Sequence, residues 1–189
     1  MKQFLVGLAA LLLSCDFAFG QGVTSVPCNQ LPALTGTTTS TAGSCATSTA
    51  TGTNLSTNPA DPTGTTNTAT GVMMGLGTTC KITPVVTGRL LVTWTGLLKN
   101  SVAADGTNAQ ARDGTGTAPV NGAANTGTAR GNIVGSNPVN SATGWQSFAT
   151  TYIGTGYALS TQVWLDLTVQ AATGGTASIS NVYCAAMEF

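Results

Sequence analysis

Histidine is missing from all 189 residues. That removes the commonest general base, the usual partner of a nucleophilic serine or cysteine, and the imidazole metal ligand. Acid–base chemistry would fall to carboxylates. Beyond an apolar N-terminal stretch these are Asp61, Asp105, Asp113, Asp166 and Glu188, and paired carboxylates could serve glycoside hydrolysis. Asp105 and Asp113 each precede a glycine, where aspartate is the usual turn residue, so both read as turn positions. Asp105-Gly106-Thr107-Asn108 lacks the regular ligand spacing of a calcium loop. Gly114-Thr115-Gly116 has neither the lysine nor the following helix of a phosphate cradle. The chain therefore reads as a non-enzyme with no cofactor and no metal.

Sulfur is the other reactive element. The chain has five cysteines. Removal of an N-terminal signal would take Cys15 and leave Cys28, Cys45, Cys80 and Cys184. An even number in an exported chain suggests two disulfides. Three pairings are open. The reading adopted is Cys28–Cys45, closing a short N-terminal loop, and Cys80–Cys184, tying the first core strand to the last. Buried free thiols or a bridge between subunits remain alternatives. None of the four shows the C-x-x-C spacing of a zinc or redox site.

The elements that position these groups are strands. Leu90, Val92 and Trp94 fall on one face of a strand over Gly88 to Leu98, so Trp94 is expected in the core. Over Gln162 to Gln170, Val163, Leu165, Leu167 and Val169 point one way, and Trp164, Asp166, Thr168 and Gln170 the other. Trp164 and Asp166 on that polar face are the candidate contacts for a partner or glycan. Shorter strands are expected near 72–76, 80–83, 108–112, 126–134 and 145–153. A last one runs from Thr176 to Phe189, and its alternation shifts near Asn181 as at a β-bulge. About eight short strands separated by turn signals predict an all-β, jelly-roll-like antiparallel β-sandwich, here over residues 72–189.

Ahead of it, residues 21–71 read as an extended Thr/Ser/Gly-rich arm, because Leu55 is the one large aliphatic residue in 36–70 and such a tract cannot build its own core. Residues 1–20 follow the pattern of a secretory signal. Three readings stand open there: cleavage after Gly20, lipidation at Cys15 through the lipobox-like Leu12-Leu13-Ser14-Cys15, or retention as an assembly element. The apolar run is shorter than the roughly 20 residues that span a bilayer, so no membrane span is expected in the mature chain. Charged residues make up only 6 % of the sequence, six basic and six acidic. Nucleic acid needs a basic footprint, which is missing, and a net charge near zero favours association.

Two segments carry a resemblance. Leu34-Thr35-Gly36-Thr37-Thr38-Thr39-Ser40-Thr41-Ala42-Gly43-Ser44 resembles the LTGDVT-SAGS element of tail-fibre-like proteins of tailed phages, with Thr37 where those repeats usually carry Asp. Arg112 to Gly122 and Thr173-Gly174-Gly175-Thr176-Ala177-Ser178 resemble β-sandwich domains at the ends of phage tail or head-surface proteins. The resemblance implies a non-catalytic virion structural protein, a decoration, collar or fibre-type subunit. It would adhere to other virion proteins or to copies of itself, often as a homotrimer. The alternative expectation is an exported bacterial adhesin or glycan-binding protein, secreted or at the cell surface.

Overall fold

Alternation of buried and more exposed residues builds the strands Leu90–Asn100 and Ala177–Glu188, and their partners follow from ladder pairing. The computed structural model describes residues 38–40, 47–49, 52–103, 105–135 and 144–189. Two compact units divide the chain at residues 50 and 51. In the first, β1 (Thr38–Ser40) pairs antiparallel with β2 (Thr47–Thr49). The expected Cys28–Cys45 bridge, the signal-like residues and most of the tail-fibre-like element lie outside the described residues.

The second unit holds β3 (Asn54–Thr57), β4 (Val72–Met73), β5 (Lys81–Ile82), β6 (Leu90–Asn100), β7 (Thr107–Thr115), β8 (Thr128–Gly135), β9 (Gln146–Gly154), β10 (Val163–Ala171) and β11 (Ala177–Glu188). One sheet runs β4-β10-β7-β8, with β5 also on β10, and the other runs β3-β11-β6-β9. All pairings are antiparallel. β4 and β5 are two halves of one edge strand, interrupted by a 3-10 turn at Leu76–Thr78. Counting them as one gives eight strands in the orders 1-8-3-6 and 2-7-4-5. That is the double Greek key of a jelly roll.

The core lies between the sheets. Leu90, Val92, Trp94 and Leu98 of β6 meet Val163, Leu165, Leu167 and Val169 of β10, together with Ile179, Val182 and Ala186 of β11. Each large aliphatic residue buried this way stabilises the fold by about 1.5–3 kcal/mol. The shift expected near Asn181 is a register break between Ser180 and Tyr183, with Asn181 at φ 50°.

The domain boundary differs from the expected one. Residues 52–71, assigned to the arm, belong to the sandwich unit. β3 pairs with β11 from Asn54 to Thr57, Thr65 pairs with Ala177, and Leu55 packs against the core. A strand can join a sheet through backbone hydrogen bonds with a single apolar anchor, and apolar counting is blind to that.

Candidate functional site

Trp164 and Asp166 are not surface residues, which corrects the expectation that they meet a partner. Trp164 is 4 % and Asp166 0 % exposed. The alternation of β10 is as expected, but its outer face is covered. Gly77 of the 3-10 turn lies against Trp164, with Ala118 beside it. The indole sits between Gly114 and Gly127, where added Cβ atoms would come within 2.3 Å of the ring in each case, and its Nε1 donates to the Thr115 carbonyl at 3.2 Å. Asp166 plugs the gap between β4 and β5. It accepts the backbone N–H groups of Gly75 at 3.0 Å, Leu76 at 3.1 Å and Leu167 at 2.7 Å. Burial pushes its carboxyl up to about 6, against those amides, which pull it down.

Three other acids are equally engaged. Glu188 takes five backbone N–H groups: Val86, Thr87 and Gly88 on Oε1, Val85 and Thr53 on Oε2. Burial favours its neutral form, but the amides of Val85, Thr87, Val86 and Gly88 outweigh that and hold it at about 2. Asp113 is no turn residue: it lies inside β7. It is buried and accepts Arg130 Nε of β8 at 2.8 Å and the Tyr157 hydroxyl. Burial, then the bond to Asp113, raises the Tyr157 phenol. Asp61 accepts Ser180 Oγ at 2.6 Å and the Asn181 N–H at 2.8 Å, bracing the bulge. Asp105 occupies the expected turn between β6 and β7, its N–H donating to Val102.

Asp113 and Asp166 lie on opposite faces of their sheet. Asp113 shares the inward parity of Ala109 and Ala111, whereas Asp166 stands opposite Arg112 with the outward parity. Among the described residues no group of three or more Cys, Asp or Glu could hold a metal ion, and no helix is long and apolar enough to cross a membrane. Cys80 and Cys184 are both buried free thiols in the core.

What the fold leaves open is a sheet face. On the outside of β3-β11-β6-β9, Asn54, Met187, Leu91 and Ile153 form one row across four strands. Ser56, Ala185, Thr93 and Thr151 form the next, followed by Tyr183, Thr95 and Ala149. No charged residue stands in these rows. Ile153 is 54 % and Met187 46 % exposed. Cations bracket the face at both ends: Arg89 lies over the Phe189 ring at 4.6 Å, and Lys99 over Trp145 at 5.0 Å. A groove of about 540 Å³ beside the bulge is lined by Thr95, Leu97, Ser147, Ala149 and Asn181. On the opposite sheet, Asn108, Gln110, Asn125, Thr168 and Gln170 line a cleft of about 70 Å³. The exposed tryptophan is thus Trp145, not Trp164. Sequence reading missed it and the Met187–Leu91–Ile153 row, because a row across strands is set by register, which alternation within one strand does not reveal.

No protein-family model matches the chain, and no curated protein is similar enough to match. Solved structures of infectious bursal disease virus are similar to it. The VP2 subviral particle shows 15 % identity and a TM-score of 0.45 over 75 % of this chain and 34 % of that one. The Gt strain gives 13 % and 0.44 over 75 % and 35 %, and the Gx strain 16 % and 0.45 over the same shares. The chain spans about a third of the length of the chains it matches.

Proposed function

We propose that this chain is a non-catalytic structural subunit of a virion, and that it works by adhesion through the uncharged outer face of β3-β11-β6-β9. Jelly rolls serve mainly as capsid domains, lectins and cupins, and the fold alone does not choose among them. A cupin metal site is built from histidines, and this chain has none. The observation that carries the reading is the neutral face itself. Two copies can meet there without like-charge repulsion or the desolvation of ions, and its apolar row with a cationic rim has the anatomy of an interface. The occupant assigned to the face is a second copy of this chain, in line with the sequence resemblance to phage surface proteins. Decoration, collar or fibre-type placement on a tailed-phage particle is the finer reading that resemblance favours.

Size-exclusion chromatography with light scattering tests the adhesion. The wild-type chain should run as an oligomer. Leu91→Lys with Met187→Lys, both on outward positions, should convert it to monomer with an unchanged thermal midpoint. A monomeric wild-type chain at micromolar concentration would overturn the proposal. The amide-lined cleft on the opposite sheet favours one second reading, an exported glycan-binding protein. At about 70 Å³ that cleft is far below the roughly 300–1,000 Å³ of ordinary ligand sites. A monomer that binds immobilised glycans, with loss on Gln110→Ala, would move the conclusion to that reading.

A further inference from the structure

Two buried free thiols lie in one core cluster, Cys184 carried by β11 and Cys80 just ahead of β5. Cys184 is on β11, in register with Thr57 of β3, and β3 packs against β5, which begins one residue after Cys80. Cys80 itself is fixed to the other sheet: its carbonyl accepts the Leu165 N–H of β10 at 2.8 Å, and its own N–H donates to Leu76 at 2.8 Å. Both residues are fully buried and belong to one core cluster. We infer that Cys80 and Cys184 are the site of an intersheet disulfide, formed when the chain folds in an oxidising compartment.

The oxidant is a disulfide of low molecular weight or a protein disulfide donor. One cysteine, as its thiolate, attacks the donor and releases one donor thiol. The second cysteine loses its proton, attacks the mixed disulfide and releases the other. The protein gives up two electrons and two protons, and the donor disulfide becomes two thiols. The thiolate is the attacking species. In the folded chain the neighbouring Cys80 thiol, then burial, and finally the Asp166 charge push Cys184 up and keep it a thiol. Closure is therefore fast only while the sheets are apart, and the folded, reduced protein should resist oxidation. Once closed, the bond ties the edge of one sheet to the centre of the other through a loop of about 100 residues, the long-loop case in which cross-linking constrains the unfolded chain most.

The test refolds the full chain from denaturant in a mixture of oxidised and reduced glutathione, then alkylates and digests it with chymotrypsin without reduction. The expected product joins fragment 77–90 to fragment 184–189. Its urea midpoint should fall by about 1–2 M when the bond is reduced. Both cysteines alkylated after oxidative refolding, a bridge from either one to Cys28 or Cys45, or an unchanged midpoint on reduction would each overturn the assignment.

Discussion

Glu188→Gln tests how much one carboxylate holds together at the end of the last strand. Its two oxygens accept five backbone N–H groups at 2.6–3.3 Å, four of them from the consecutive residues Val85, Val86, Thr87 and Gly88. In the variant the amide oxygen can keep Val86, Thr87 and Gly88. The amide nitrogen then points its hydrogens at the N–H groups of Val85 and Thr53, so two charge-assisted bonds are lost. Each contributes roughly 1.5–3 kcal/mol, and water reaches part of this loop, so the expected loss is about 3 kcal/mol. For a chain of this size that lowers Tm by about 6–12 °C. The pH dependence has a definite sign. The folded carboxyl sits at about 2, below its ordinary 4.5, so its contribution is complete above about pH 4.5 and lost as pH falls through 2. Urea denaturation of both proteins at pH 7, 4 and 2.5 should show a full gap at pH 7 and a narrowing one below pH 4.5. A gap under about 0.5 kcal/mol at pH 7, or one that persists undiminished at pH 2.5, would refute the role of the nest.

Asp166 should behave in the opposite sense. Its carboxyl is raised to about 6 from 3.8, so its contribution is complete below about pH 3.8 and is lost as pH rises through 6. A carboxyl-carbon NMR titration should show a midpoint near 6, and one at or below 4 would refute the buried placement. Gly127→Ala sets a methyl group 2.3 Å from the Trp164 ring and 2.4 Å from the Asp113 carbonyl, at φ +72°. The expected cost is about 2–4 kcal/mol; a neutral variant in chemical denaturation would mean that the indole does not fill that slot. Tyr157→Phe removes a donor from buried Asp113 while Arg130 stays in place. The loss should be about 1–2 kcal/mol by urea denaturation, and no loss would show that Arg130 alone satisfies the carboxylate.

The long strands were legible because β6, β10 and β11 each obey a period of two, and even the break at Asn181 showed as a shift in that period. Trp94 was placed in the core for the same reason, and it is fully buried. What failed was inference from face to exposure. Polarity on the outer side of β10 looked like a solvent face, yet Trp164 and Asp166 are covered by a turn that no strand pattern describes. Asp113 failed differently: the Asp-Gly pair is a strong turn signal, but β7 runs on through Gly114 to Thr115 because it pairs with β10 along its whole length. Short strands such as β3 and β4 carry too few residues for any period, and only the ladder reveals them. The neutral face of the four-stranded sheet is likewise a product of three registers at once.

The scarcity of charge and the placement of the acids are connected. Of four engaged carboxylates, three stand where the backbone leaves the regular ladder, Asp166 at the break between β4 and β5, Glu188 beside the loop after β5 and Asp61 at the bulge, while Asp113 stays inside β7 and accepts Arg130 and Tyr157. Three of them satisfy main-chain N–H groups that would otherwise be buried or strained without partners, and a carboxylate does this better than a hydroxyl because it accepts several donors at once. Asp113, Asp166 and Glu188, held by these bonds, are withdrawn from the surface. The outer face of β3-β11-β6-β9 is left to threonine, serine, asparagine and apolar side chains such as Leu91, Ile153 and Met187, which another protein can cover without stranding an ion. Substitution of these acids should therefore weaken folding first and association only as a consequence, whereas a lysine at Leu91 or Met187 should abolish association in a chain that still folds.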